Sequence, residues 1–153
     1  MVIEGASGRR EVAARDFFLG DLTTAVEPHE LLREARFPVC QASSFSSFTE
    51  VSVRQEGVAV VGLAVYLERE GKRVRKAALA AMGVDAAPLR LRLAEGELFN
   101  RGLSPDAIEA VATIAAGEIE PMSDLYTTAA YRKHVIGALL KKALHKAVLE
   151  ESR

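Results

Sequence analysis

The stretch Val58-Ala-Val-Val-Gly-Leu-Ala-Val-Tyr-Leu67 is the longest apolar run in the sequence, and it decides the fold class. It is about half as long as the ~20 residues that a transmembrane helix needs, so it predicts a buried strand over residues 58–68. A second β-prone run, residues 73–82, follows the short glycine-bearing segment Arg69-Glu-Gly-Lys72. Two strands joined by so short a segment predict an antiparallel hairpin.

Residues 43–54, before this hairpin, predict a further strand. Phe45 and Phe48 are interleaved with serines, and valines alternate with polar residues from Val51 to Arg54. Together these runs predict an antiparallel meander of at least three strands. Further upstream, Pro28 and the run at residues 30–35 predict a helix of about two turns, which Pro38 ends.

Three helices are predicted after the strands. The stretch from Leu89 to Leu98 fits a strand or a helix, and its Ala-Glu pair favours a helix. Ser104-Pro105-Asp106 combines an N-cap hydroxyl, a proline and an acid, which predicts a helix start, and Gly117 is the predicted end. The last helix is predicted from Thr127 or Thr128 to Leu149, with an apolar stripe of Val135, Ile136, Leu139, Leu140, Leu144 and Val148.

The composition excludes several classes of protein. The 153 residues include 20 Lys and Arg against 21 Asp and Glu, for a net charge of −1. A net charge near zero gives no sustained attraction to phosphate, which argues against nucleic-acid binding. Cys40 is the single cysteine, so an intramolecular disulfide is impossible and a reducing compartment is favoured. Because the N-terminus lacks the pattern of a leader, we expect a cytoplasmic location.

The residues alone predict no self-contained active site. The sequence has neither a Gly-x-Ser-x-Gly elbow nor a His-Glu-x-x-His motif. Gly5-Ala-Ser-Gly8 lacks the Lys-Ser/Thr of a P-loop, so it predicts a turn rather than a phosphate site. His134 and His145 are about three helical turns apart, too far to bind one metal ion. What remains is an α+β domain in which helices cover one face of an antiparallel sheet, with no catalytic or metal-binding residue predicted.

Longer strings at both ends of the sequence resemble one known family. They are Gly8-Arg-Arg-Glu-Val-Ala-Ala-Arg-Asp-Phe-Phe-Leu-Gly20, Glu30-Leu-Leu32, Arg36-Phe-Pro38 and Glu120-Pro-Met-Ser-Asp-Leu-Tyr-Thr-Thr-Ala-Ala-Tyr-Arg-Lys-His-Val135. In order and spacing they are similar to the FAD-carrying medium subunit of molybdenum hydroxylases of the carbon monoxide dehydrogenase and xanthine dehydrogenase type. The resemblance implies that residues 1–25 end an FAD-binding domain and that residues 26–153 form the subunit's C-terminal domain.

The resemblance also implies a fold, a cofactor and partners. The expected fold is a small antiparallel sheet of at least three strands packed against a three-helix bundle. In the family, a molybdopterin-binding large subunit passes electrons to the [2Fe–2S] clusters of a small subunit, then to FAD and to an external acceptor. The family's glycine-rich pyrophosphate-binding segment lies in the FAD-binding N-terminal half. We therefore expect FAD in the complete subunit, with this chain flanking the flavin.

Three positions match residues that the family places on the flavin side. Arg54 matches a basic residue a few positions before an Asp-aromatic or Asp-aliphatic pair, Gly83 matches a glycine turn, and Arg90 matches a basic residue after a proline. Gly57 and Val58 stand where the family has the pair, so this sequence lacks both the carboxylate and an aromatic ring there.

Each position also has a structural explanation. In this alternative, Arg54 is expected to be a solvated residue at a strand end, Gly83 an ordinary turn residue, and Arg90 a partner of Asp85 or Glu95. Tyr131 and Arg132 are predicted to stabilise the bundle, with the guanidinium reaching an acid such as Asp124.

A second hypothesis for the whole chain comes from a different class of protein. A split or truncated subunit acts as a free-standing interaction or assembly module that does not bind FAD alone. The absence of a self-contained active site is compatible with both hypotheses, and flavin binding separates them.

Overall fold

The computed structural model describes residues 1–41, 43–53 and 57–150. The elements of the N-terminal part are β1 (Val2–Gly5), β2 (Gly8–Glu11), α1 (Ala14–Phe17), β3 (Phe18–Gly20), β4 (Thr23–Thr24) and β5 (Glu30–Glu34). Those that follow are β6 (Phe45–Ser52), β7 (Ala59–Glu70), β8 (Arg73–Met82), β9 (Leu89–Arg90), α2 (Arg92–Arg101), α3 (Pro105–Glu118) and α4 (Ala129–Glu150).

The predicted hairpin forms the centre of a four-stranded antiparallel sheet with the order β6-β7-β8-β9. The chain reverses between Glu70 and Arg73, which face each other, and Gly71 adopts a positive φ of 57° in the turn. Along β7, Val61, Leu63 and Val65 are buried and alternate with residues of the opposite face. The sheet therefore presents one apolar face to the helices.

The three predicted helices are confirmed, with two corrections at their ends. Leu89 and Arg90 form the short strand β9, so α2 begins later than the first leucine of the run. Gly117 lies inside α3 and does not end it, because the helix continues to Glu118. The carboxylate of Glu118 accepts the N–H groups of Leu93 and Ala94 at 3.1 and 3.2 Å, so the end of α3 caps the start of α2.

One contiguous apolar core joins the sheet to the helices. Its buried members run from Phe45 on β6 to Ala147 on α4. The predicted stripe of α4 is confirmed, since Ile136, Leu140 and Leu144 are fully buried. The predicted α+β class, with helices packed on one face of an antiparallel sheet, is therefore confirmed. Within the described residues, no helix is both long enough and apolar enough to cross a membrane.

The N-terminal part contains a separate three-stranded sheet with the order β2-β1-β5. The predicted turn at Gly5-Ala-Ser-Gly8 is confirmed as the β1–β2 connection. The predicted helix over residues 30–35 is wrong, because Glu30–Glu34 pairs with β1 as an antiparallel strand. So short a helix is marginal in water, whereas the free edge of β1 offers partners for the backbone of this segment.

Candidate functional site at Arg132

Arg132 of α4 joins three parts of the chain at one end of the four-stranded sheet. Its Nη1 group donates to the carbonyl oxygens of Val60 and Gly83, both at 2.6 Å. Its Nη2 group donates to the carboxylate of Asp124. The Arg132 side chain is only 11% exposed, so its two bonds to carbonyl oxygens are partly buried, whereas the carboxylate of Asp124 lies half-exposed at the surface. The guanidinium thus fixes the start of β7, the turn after β8 and the loop before α4 relative to one another.

Gly83 makes the close approach at this junction possible. Its φ is +73°, and a Cβ atom on it would lie 2.1 Å from the carbonyl oxygen of Val60. No side chain fits at that distance, and an L-residue rarely adopts that backbone conformation. The turn at Gly83 therefore packs against β7 only because the residue is glycine.

The loop that precedes α4 is held by the carboxylate of Asp124. Oδ1 of Asp124 accepts the N–H groups of Tyr126 and Thr127, both at 2.8 Å, and the N–H of Asp124 donates to the Thr127 carbonyl at 2.9 Å. These two backbone donors, together with the Arg132 guanidinium, hold the pKa of Asp124 below its usual value. At neutral pH the carboxylate is therefore charged, and the loop is a closed, hydrogen-bonded turn.

Two clefts flank the Arg132–Asp124 pair. The first, of about 340 Å³, is lined by Val58 and Tyr126 among others and has a mainly apolar wall. Val58 is 91% exposed and Tyr126 is 77% exposed, so both residues are open to a ligand or partner. The second cleft, of about 600 Å³, includes Gly83 and Asp21 in its lining. The first cleft presents apolar side chains beside a charged pair in which both Nη groups of Arg132 are already hydrogen-bonded.

The three residues matched to the flavin side have different environments. Gly83 lies at the junction, in the lining of the second cleft. Arg90 lies on β9, where its Nε donates to Oε1 of the buried Glu95 at 2.7 Å. The same oxygen accepts the N–H of Leu79 at 2.8 Å, and Arg90 is not among the described residues that line either cleft. Arg54 lies outside the described residues. A flavin contact by these three residues stays a prediction.

The predicted pair of Arg132 with Asp124 is confirmed. The role of Val60 and Gly83 as acceptors is not predictable from the sequence, since a main-chain carbonyl has no side-chain signature. Tyr126 is also not among the residues that the sequence predicts for the site. The Asp-x-x-Thr spacing of residues 124–127 is a signal for such a turn, because Asp side chains often accept backbone N–H groups a few residues ahead. Within the described part of the chain, no three His, Cys, Asp or Glu side chains are placed to hold a metal ion.

This chain shares its antiparallel sheet packed on three helices with solved chains of carbon monoxide dehydrogenase and quinoline 2-oxidoreductase. The chain belongs to the CO dehydrogenase flavoprotein C-terminal domain family, whose pattern matches residues 46–147.

Relatives with assigned names support the same family. The chain is 30% identical over 146 residues to the carbon monoxide dehydrogenase medium chain of Hydrogenophaga pseudoflava, covering 95% of this chain and 51% of the relative. It is 29% identical over 144 residues to the glyceraldehyde dehydrogenase medium chain of Sulfolobus acidocaldarius, covering 94% and 50%. The chain thus spans about half the length of the curated relatives that it matches.

Solved structures agree with the fold. A carbon monoxide dehydrogenase from Hydrogenophaga pseudoflava, which lacks the Mo-pyranopterin moiety of its cofactor, superposes with a TM-score of 0.89 at 32% identity, over 95% of this chain and 51% of that chain. Quinoline 2-oxidoreductase from Pseudomonas putida 86 superposes with a TM-score of 0.88 at 25% identity, over 98% and 52%. The expected sheet and three-helix bundle of this family are therefore confirmed.

Proposed function

We propose that the chain is the C-terminal part of the FAD subunit of a molybdenum-containing hydroxylase or dehydrogenase. In this proposal the cleft beside Gly57 and Val58 is one wall of the flavin site. FAD in the complete subunit takes electrons from [2Fe–2S] clusters and passes them to an external acceptor, and this chain holds and shields one side of the flavin. Residues 1–25 are the end of the FAD-binding domain, residues 26–153 are the C-terminal domain, and β5 pairs with β1 across that boundary.

The observation that carries the proposal is the mainly apolar first cleft beside Arg132, found in a chain of the CO dehydrogenase flavoprotein C-terminal domain family. An isoalloxazine ring is flat, with faces and a dimethylbenzene end suited to apolar contact, and the exposed Val58 and Tyr126 offer such contact in a concave site. These residues fit the ring.

The pyrophosphate of FAD fits this cleft less well. Pyrophosphates are bound at glycine-rich turns, helix N-termini or free cations. Both Nη groups of Arg132 are already bonded to acceptors of this chain, and its Nε is buried without an acceptor among the described residues. The proposal therefore assigns the pyrophosphate to the FAD-binding N-terminal half of the subunit.

Exposed apolar residues of the N-terminal part support a partner on that side. Leu31 and Leu32 on β5, and Phe37 after it, are large apolar residues left open to water. Clusters of this kind mark surfaces that another chain segment or subunit covers. We assign this cover to the FAD-binding half.

The proposal includes two partner subunits. The relatives are called medium chains, a name that implies larger and smaller companions. By the family resemblance, these are a molybdopterin-binding large subunit and a [2Fe–2S] small subunit.

The test is flavin binding by the chain alone and by the chain combined with the FAD-binding N-terminal half. We expect the flavin absorbance band to stay with the protein after gel filtration only in the combined sample. Val58→Glu places a charge in the wall and should weaken binding in that sample. Val39→Glu is the matched control, because Val39 is 97% exposed and is not among the described lining residues of the first cleft.

A combined sample that folds and associates but carries no flavin overturns the proposal. That outcome supports the second hypothesis, in which the chain is an interaction or assembly module. Equal flavin binding by the Val58→Glu and Val39→Glu variants would remove the cleft from the site.

A further inference from the structure

Tyr126 lines the cleft in which position 58 carries no aromatic ring. Gly57 and Val58 stand where the resemblance expects an Asp-aromatic or Asp-aliphatic pair, and Tyr126, from a loop distant in sequence, lines the same cleft as both. Among the described residues of that lining, Tyr126 is the one aromatic. We infer that Tyr126 supplies the aromatic contact to the isoalloxazine ring on this wall. This inference rests on the proposed function and adds to it a specific binding residue.

The backbone of Tyr126 is held in place before any ligand arrives. Its N–H donates to Oδ1 of Asp124 at 2.8 Å, and the other carboxylate oxygen of Asp124 accepts from Arg132. Arg132 is in turn bonded to the carbonyl of Val60, next to the apolar wall. An aromatic side chain on so constrained a backbone loses little conformational freedom on binding, since only two side-chain torsions remain to be fixed.

The surroundings of Tyr126 do not explain it as a structural residue. It is 77% exposed, and within the described part of the chain its hydroxyl forms no hydrogen bond. A tyrosine side chain stabilises a fold mainly through burial of its ring and hydrogen bonding of its hydroxyl, and the Tyr126 side chain does neither. A large ring that is exposed on a fixed loop beside an apolar cleft is suited to contact a flat ligand.

Neighbouring exposed residues are less well placed. Leu125 is 96% exposed and precedes Tyr126, yet it is not among the described residues that line either cleft. Met122 lines the second cleft and not the first. Leu125 is therefore a matched control, because it shares the loop, the exposure and the apolar character of Tyr126 without its position.

The experiment uses the chain combined with the FAD-binding N-terminal half, loaded with FAD. Three variants are compared with wild type: Tyr126→Ala, Tyr126→Phe and Leu125→Ala. The two readouts are the Kd for FAD and the fluorescence lifetime of the bound flavin. A phenol in contact with an isoalloxazine ring quenches its fluorescence by donating an electron to the excited flavin, whereas a phenyl ring does not.

We expect Tyr126→Ala to raise the Kd roughly 3- to 10-fold, the range that one aromatic contact supplies. Tyr126→Ala should also lengthen the flavin lifetime. Tyr126→Phe should retain the Kd within about twofold, since stacking is preserved, while its lifetime lengthens as in Tyr126→Ala. Leu125→Ala should match wild type in both readouts.

Three results overturn the inference. If wild type binds FAD and Tyr126→Ala equals it in Kd and lifetime, Tyr126 does not touch the ring, and the proposed function still stands. If Tyr126→Ala loses FAD together with a lowered thermal midpoint of the FAD-free protein, its role is structural. If wild type itself carries no flavin, the proposed function fails and the inference falls with it.

Discussion

The N-terminal sheet and the sheet–helix core are stabilised in opposite ways. The core buries a continuous set of apolar side chains from Phe45 to Ala147. The N-terminal sheet buries Val2 and Ile3 of β1 and is otherwise bridged by exposed ion pairs between arginines and glutamates. Apolar burial is the main stabilising term in folding, whereas exposed ion pairs add little. The comparison predicts that the core resists unfolding more strongly than the N-terminal sheet.

The ion pair of Arg10 and Glu30 is an example of how the N-terminal sheet is stabilised. Nε and Nη2 of Arg10 donate to the two carboxylate oxygens of Glu30 at 2.8 and 2.6 Å, which ties β2 to β5 across β1. This contact, with a smaller contribution from the N–H of Glu27, lowers the pKa of Glu30 to about 2. The geometry is well defined, yet the Arg10 side chain is open to water, so solvent and salt screen its attraction to Glu30.

The largest expected effect comes from removing a side chain of the core. Leu140→Ala should lower the free energy of unfolding by about 2–5 kcal/mol, because Leu140 is fully buried and the variant leaves a cavity. Urea unfolding followed by circular dichroism measures the change. Leu149→Ala, at an exposed position of the same helix, is the control and should change stability by less than about 0.5 kcal/mol. If Leu140→Ala and Leu149→Ala lowered the free energy of unfolding equally, Leu140 would not be a buried member of the core.

A smaller effect is expected at Arg132, whose largely buried guanidinium joins two main-chain carbonyls to the half-exposed carboxylate of Asp124. Arg132→Met removes the donors of the Val60 and Gly83 carbonyls and should destabilise the chain by about 1–3 kcal/mol. Chemical denaturation gives the value. Lys142→Met, at an exposed position of α4, is the matched control and should be nearly neutral. If Arg132→Met is as neutral as Lys142→Met, the junction contributes nothing to the fold.

The sequence predicted the core because its signals are local. The apolar run of β7 and the stripe of α4 each follow the period of their own element, so burial is readable along the chain. The candidate partners of Arg90 are also local, because Asp85 and Glu95 each lie five residues from it in the sequence, and Glu95 is the partner observed.

Non-local features were not predictable in the same way. Residues 30–35 carry a helical composition, yet the distant strand β1 decides their conformation. The junction at Arg132 joins two main-chain carbonyls, which every residue possesses, and Tyr126 reaches the cleft beside Val58 through the loop held by Asp124. Pairing across long sequence separations leaves little trace in a single sequence.

The smallest expected effect is acid loosening of the N-terminal sheet alone. A carboxylate whose folded pKa lies below its unfolded value stabilises the fold above the unfolded pKa, and this contribution is lost as the pH falls through the folded pKa. For Glu30 the window runs from the ordinary value of 4.5 down to about 2. Hydrogen exchange of the β5 amides should therefore show a protective effect of Glu30 at neutral pH that disappears across this window.

The variant Glu30→Gln isolates this contribution from the acid response of the rest of the chain. Its β5 amides should be less protected than those of wild type at neutral pH and equal to them once Glu30 is protonated. Amides of β7 lie in the apolar core and should not distinguish the two proteins at any pH. A difference that persists at the acid end of the window would mean that Glu30 acts through packing rather than charge. A matching difference in β7 would show that the sheet and the core unfold as one unit, because only a shared opening transmits a surface ion pair to core amides.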